Sequence, residues 1–383
     1  MMVSELLPIG QYQPIGFPAP IWLMQTLLLL GFLLHIIPMN IMWMGGLSSA
    51  GLLWAGKGND ASYETRLGKI IAYSLPFFAT AAINAGIVPL LFVQVLYGPL
   101  VYTSSVLMAT PWILILPLLV LGYYSFYIYQ YGKKGFGKDN PWTLLLSTLL
   151  FFVIGFFFTN NMTLMLTPEK FLAMYQHSHA GVNLNLSEPS LWARFSHFAL
   201  GAVAVTGLYI GCVGLYQKAR DAAFSQWLIK RGASIFLGVT LINSVVGVWF
   251  LNSLHPDVTA QFLGGTKMAT HLFNTAMGLD VISLIAMALA AVRGSVPAFI
   301  TGLTSSSLLI CAMIGMRHLV RVFMTEGVAG TALQEVLKPS SHEEKIQTGV
   351  LIIFLTLFVG MIAYFVWLGK TVWKAVHKTE EAA

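Results

Sequence analysis

Apolar residues run along the chain in nine blocks, each close to the roughly 20 residues a helix needs to cross a hydrocarbon core. They fall near Ile21 to Met44, Ile70 to Leu96, Val106 to Tyr129, Trp142 to Met165 and Leu191 to Tyr216 in the first part. Ala233 to Leu254, Met268 to Ala291, Val296 to Phe323 and Gly349 to Trp373 follow. Between them the chain is polar and short. The only sizeable loops are Thr167 to Ser190 and Thr325 to Thr348, and neither is long enough to fold alone. The pattern predicts one all-α polytopic membrane bundle over residues 1–383, with nine transmembrane helices and no separate domain. Pro38, Pro76, Pro89, Pro111 and Pro117 are expected to kink spans one to three. No inverted repeat of the transporter kind is evident.

Composition agrees with the pattern. Hydrophobic residues make up 57% of the chain and charged residues 9%, against about 25% charged in soluble domains. The net charge of +6 would hint at nucleic acid in a soluble protein, but here the basic residues lie between apolar blocks and report topology. Lys57, Arg66 and Lys69 follow span one, and Lys133, Lys134 and Lys138 follow span three. Lys218, Arg220, Lys230 and Arg231 follow span five, Arg293 follows span seven, and Lys370, Lys374 and Lys378 follow span nine. These are 14 of the 21 basic residues, all on one side, which the positive-inside rule makes the cytoplasm. The N-terminus is then outside, with no basic or small-residue signature of a removed signal peptide before Ile21. A bacterial or archaeal cytoplasmic membrane is the expected location.

The two cysteines, Cys212 and Cys311, sit in apolar runs, and no C-x-x-C-H is present for covalent haem. Of nine histidines, His177, His179, His255 and His342 fall in or beside outer loops and His377 in the tail. Four lie inside spans: His35, His197, His271 and His318. Ionisable groups in a membrane helix are costly and need partners. By span direction, His197, His271 and His318 share an outer layer, with His35 deeper. Haem is a better partner than zinc in such apolar, aromatic surroundings. Phe195, Phe198, Phe273, Trp112, Trp192 and Trp249 are candidate pocket walls. Arg194, Arg317 and Arg321, at outer span ends, are placed to pair with haem propionates. Asp280 is an acid inside span seven, either a proton relay or a neutral hydrogen-bond donor. Asn84, Gln94, Asn160 and Asn161 are expected to bond helix to helix.

Over most of its length the chain resembles subunit I of the cytochrome bd quinol oxidases. In that family a span-one histidine holds a haem, and FLLHIIPMNIMWMG offers His35. A span-five F-x-H run followed by T-G holds the low-spin haem b, and RFSHFALGAVAVTG offers His197. The second axial ligand is a span-seven methionine, for which MATHLFNTAMG offers His271 or Met277, with His271 preferred by depth. The family's span-eight E-x-x-R-Q-P-W becomes His318 and Arg321 followed by Val322, Phe323 and Met324. Histidine in place of glutamate implies a strong ligand and no open place for oxygen. The span-three run TPWILILPLLVLG lacks the family's proton-feeding carboxylates, and the quinol loop shrinks to roughly Asn252 to Lys267.

The resemblance thus implies two or three haems b held by His35, His197, His271 or Met277, and His318. It implies electron transfer between membrane quinol and a redox protein at the outer face, the chain being a quinol-linked oxidoreductase without oxygen reduction. Membrane lipid, the quinone pool and a homodimeric or small accessory partner complete the expectation; nucleic acid has no place in it. Two other readings stay open: a terminal bd-type quinol oxidase, and a haem-free transporter or sensor.

Overall fold

The computed structural model describes residues 16–133, 137–178, 180–325 and 344–381, the last ten of these by their backbone alone. Lys134, His179, His342 and residues 326–343 of the second long loop lie outside the described residues, as do the side chains of Lys374, His377 and Lys378. Among the described residues nine helices are long and apolar enough to span a membrane. They are α1 (Ile21–Ala55), α2 (Tyr63–Leu96), α3 (Ala109–Tyr131), α4 (Pro141–Leu164), α5 (Pro189–Gln217), α6 (Ala222–Asn252), α7 (Lys267–Arg293), α8 (Val296–Thr325) and α9 (Thr348–Glu381). An isolated bridge between Phe17 and Glu344 is the sole β pairing among those residues. The chain is a multi-pass, all-α membrane protein, as the apolar blocks require.

Helix ends depart from block ends for physical reasons. A backbone ladder continues past the hydrocarbon edge until something caps it. α1 therefore runs on to Ala55, and α2 starts at Tyr63, where Ser62 accepts a hydrogen bond from the Thr65 amide at 3.2 Å. Span three is divided: a short helix, Gly98–Leu107, stops at Met108 and α3 begins at Ala109. Pro111 fits the break, since in a helix's first turn its missing N–H has no partner to lose. The expected kink there is thus a helix boundary. Pro38, Pro76, Pro89 and Pro117 sit inside helices that continue through them.

The spans pack as two four-helix bundles. In the first, α1 lies on α2, α3 on α4, and the ring closes through α2 with α3 and α1 with α4. In the second, α5 lies on α6 and α7 on α8, closed through α6 with α7 and α8 with α5. At the α5–α6 crossing a Cβ on Gly232 would stand 2.5 Å from the Gly207 carbonyl oxygen, so the two backbones touch because neither glycine has a side chain. The bundles meet along α1 and α5, where Trp43 and Phe195 rings lie 6.0 Å apart in an apolar seam. Four spans per bundle is an even number, so both bundles start from the same end. The repetition is parallel, consistent with the lack of an inverted one in sequence. α9 leans on α1 and α2, its Phe354 and Phe358 packed with Leu27, Val88 and Phe92.

One end gathers the basic connections. Arg66, at the start of α2, pairs with Asp221 at 2.9 Å, and Asp221 caps α6 by accepting from the Phe224 amide at 2.9 Å. The Phe224 amide, then the Arg66 guanidinium, hold the Asp221 carboxyl below the usual carboxylate range. Gly294, after α7, rests on Gln226 and Lys230 of α6. The connections after spans one, five and seven therefore share a face. At the opposite end, Lys170 pairs with Glu188 at 2.8 Å, and the Asn160 side chain accepts from the Asn185 amide at 3.0 Å.

Candidate ligand cavity

A cavity of about 290 Å³ opens between α1, α5, α6, α7 and α8. Helical spacing builds its walls. On α5, Arg194, His197, Gly201, Val205 and Leu208 recur every three or four residues and so share one face. On α7, Phe273, Met277 and Asp280 do the same. His271 stands two positions before Phe273, about 200° round the helix. It is exposed and is not on the wall. Equal depth does not imply equal azimuth: of the two span-seven candidates, the structure brings Met277 and not His271 to the cavity of His197. Of the expected aromatic walls, Phe198 and Phe273 line the cavity. Phe195 belongs to the seam, Trp112 packs on Phe158, and Trp192 and Trp249 are exposed.

His35 and His197 repeat one arrangement in the two bundles. The His35 Nδ1–H donates to the Ala82 carbonyl at 2.8 Å, and its ring lies against Gly86, where a Cβ would come within 2.8 Å. The ring of His197 lies against Gly247 of α6, where a Cβ would stand 3.3 Å from Cε1. Asn243, four residues before Gly247 as Ala82 is four before Gly86, is the polar neighbour of His197. The Nδ1 of His197 nevertheless has no hydrogen bond of good geometry. A histidine whose Nδ1–H is given to a carbonyl keeps an Nε2 lone pair, the form that serves as a metal ligand. His318, on α8 beside Arg317 and Arg321, also carries an unpartnered Nδ1 and lies off the cavity wall.

Three guanidiniums crowd this region. Arg194, Arg317 and Arg321 lie close enough to repel one another. Among the described residues none makes an ion pair with a carboxylate. Arg194 rests 5.1 Å over Phe250, and Arg317 rests 4.2 Å over Phe32. Arg321 lies over Tyr97 at 5.4 Å and bonds to it. The Nε atoms of Arg194 and Arg317 are buried without a partner. Uncompensated buried cations are expensive, so this arrangement is suited to an anionic group.

Further into the cavity the structure shows residues that hydropathy concealed. Thr240, Asn243 and Ser306 line it, each at least nine-tenths buried and each with a side-chain oxygen lacking a partner. Asp280 joins them, bonded to Ser244 at 3.0 Å. A small-xxx-small pattern on α6, Thr240 with Ser244, is a sequence signal that marks this face. Among the described residues no three His, Cys, Asp or Glu side chains come together as a metal site.

Fold and cavity together define a polytopic helical membrane protein with an internal cavity. The fold is shared with a chain of the bd oxidase from Geobacillus thermodenitrificans. That match has a TM-score of 0.72 at 12% sequence identity, over 92% of this chain and 98% of that one. No family model matches the sequence. No curated relative matches it either.

Proposed function

We propose that the chain is a b-type cytochrome of the cytoplasmic membrane. It passes electrons between membrane quinol and an acceptor at the outer face, through two or three haems b and without reducing oxygen. One observation carries the reading: an apolar cavity with His197, Met277, Arg194 and Arg317 on its walls and Arg321 beside them, none of the three arginines pairing with a carboxylate among the described residues. A porphyrin brings four nitrogens of its own and asks the protein for only one or two axial ligands. Donors spread over separate helices therefore fit it, where a bare metal ion would need a cluster.

His197 and Met277 would hold one haem, and His35 and His318 one or two more. Haem, when bound, supplies a one-electron couple whose tuning falls to the protein. Arg194, Arg317 and Arg321 would bind propionates through charge-assisted hydrogen bonds, ending both their mutual repulsion and the unpaired Nε atoms. The Ala82 carbonyl fixes the His35 tautomer by accepting a hydrogen bond from its Nδ1–H. Phe198, Phe273 and their apolar neighbours exclude water from the macrocycle's edge. The likeness of fold to a bd oxidase supports the quinone pool as the electron source.

A reduced-minus-oxidised visible spectrum with a pyridine haemochrome count tests this. Bands of b type, two or three haems per chain and no response to carbon monoxide are expected. A colourless protein would sink the reading in favour of a haem-free transporter or sensor. A carbon monoxide-reactive haem would favour the terminal quinol oxidase.

A further inference from the structure

His271 stands away from the cavity, on a surface with a chemistry of its own. It is exposed on α7 together with Asn274, Thr275 and Gly278, and the neighbouring α8 exposes Thr301 and Thr304. Both helices are membrane spans, so these residues face hydrocarbon. On α3 the corresponding exposure is apolar, from Ile113, Leu116, Val120 and Leu121. Asn84, the exposed amide of α2, at least donates to the Thr80 carbonyl of its own helix at 2.8 Å. The side chains of His271, Asn274, Thr275, Thr301 and Thr304 make no hydrogen bond among the described residues. Polar groups left in lipid without partners are costly, and in membrane helices they mark contacts with other helices.

The exposed groups form one strip. Leu272, Ala276 and Leu279 of α7 cluster with Leu309, Ala312 and Met316 of α8, and the Ser305 hydroxyl donates to the Leu279 carbonyl at 3.3 Å. His271, Thr275 and Gly278 each stand one position before one of these inward residues, and Thr304 stands one before Ser305. The helices run in opposite directions, so one step back along each turns both to the same side of their contact. Gly278 and Thr304 share a depth there, because the Ser305–Leu279 bond holds the next positions level. A Cβ on Gly278 would meet nothing within 4 Å. That position is a gap in the strip, and Thr304 is a projection beside it.

Gap and projection at one depth suit a symmetric contact. Copies of one membrane protein share an orientation, so a two-fold pair has its axis along the membrane normal and residues meet at equal depth. Under that axis α7 of each copy lies on α8 of the other. Thr304 of each copy then enters the gap at Gly278 of the other, and the contact is made twice. Charge agrees with self-association. The exposed side chains include no carboxylate and no permanent cation, and neutral imidazole, amide and hydroxyl all both donate and accept hydrogen bonds. The strip therefore meets a copy of itself without repulsion and with partners for its unpaired groups.

We infer that the exposed strip of α7 and α8 binds the same strip of a second copy of this chain, the four helices forming a bundle at the centre of a homodimer. The inference rests on this surface and not on haem.

The full chain, fluorescently labelled and reconstituted into lipid bilayers, is counted by single-molecule photobleaching over a range of dilution, which gives the dissociation constant. A dimer is expected. Gly278→Leu fills the gap while touching nothing in its own chain, and is expected to weaken the dimer at least about tenfold with the melting temperature retained. His271→Ala with Asn274→Ala is expected to weaken it about threefold at unchanged haem content, and Val120→Trp, on the lipid face of α3, to leave it intact. A monomeric wild type overturns the inference. So does a dimer as tight in Gly278→Leu as in the wild type, a dimer broken by Val120→Trp instead, or a helix of a different protein seated on the strip in place of the second copy.

Discussion

The two four-helix bundles share an order of packing and differ in what they do with polar atoms. In the first, buried polar groups largely find partners within the protein. His35 bonds to Ala82, Ser49 donates to the Gly68 carbonyl at 2.6 Å, and Ser147 donates to the Gly122 carbonyl at 2.8 Å. In the second they do not. Among the described residues ten buried side chains carry an unpartnered polar atom, and the seven from Arg194, His197, Thr240, Asn243, Ser306, Arg317 and His318 all belong to α5, α6 and α8. Burial of unsatisfied groups is costly, and all of these seven but His318 line one cavity, the one proposed above to take haem. The first bundle is scaffold by comparison, with Phe32 and His35 on its side toward Arg317.

The comparison is sharpest at the two histidine–glycine contacts. Replacing His197 by Ala is expected to abolish the low-spin haem band, with Met277→Ala lowering haem content and His271→Ala leaving it unchanged; pyridine haemochrome counts decide. Haem retained in His197→Ala but lost in His271→Ala would reverse the site assignment. Next in size, Gly247→Val is expected to displace the His197 ring and lower haem content while the fold survives. Gly86→Val instead meets a hydrogen-bonded ring and is expected to destabilise the α1–α2 packing by about 1–3 kcal/mol, read by thermal unfolding.

A smaller effect with a telling sign comes from the arginines. Arg317→Gln is expected to raise the melting temperature of haem-depleted protein, because it relieves repulsion from Arg194 and Arg321. In the loaded protein it is expected to weaken haem retention and to lower the midpoint potential, since a cation near the site favours the electron's arrival. A fall in stability of both forms would show that packing over Phe32 is its main role.

The smallest effect lies at the basic end, away from both bundles' interiors. The Asp221 carboxyl is held below its ordinary value, so its contribution is present above about pH 4, the unfolded carboxylate value. It is lost as pH falls through the lower folded value. Asp221→Asn is therefore expected to melt earlier than wild type near neutrality, the difference closing in acid. Melting curves taken across that range check it, and a gap that persists in strong acid would show that hydrogen-bond geometry, not charge, carries the cap.

Much of this protein is written in one dimension. Nine spans, their rough limits and the shared face of the basic connections follow from hydropathy and charge, because a bilayer leaves a chain so few ways to satisfy its backbone. His197, Met277, Arg194 and Arg317 were readable as candidates because ionisable or soft polarisable groups stand out against leucine and phenylalanine. What one dimension hides is direction around each helix and distance between helices. Depth along α7 favoured His271, and only the packed helix shows that Met277 is the one on the cavity wall with His197. The pairing of α1 with α5, the Gly86 and Gly247 contacts, and the unpartnered oxygens of Thr240 and Ser306 are products of close packing between segments far apart in sequence. Tertiary structure decided them, because whether a hydroxyl has a partner depends on what the neighbouring helix places within about 3 Å of it, and no property of the residue alone contains that.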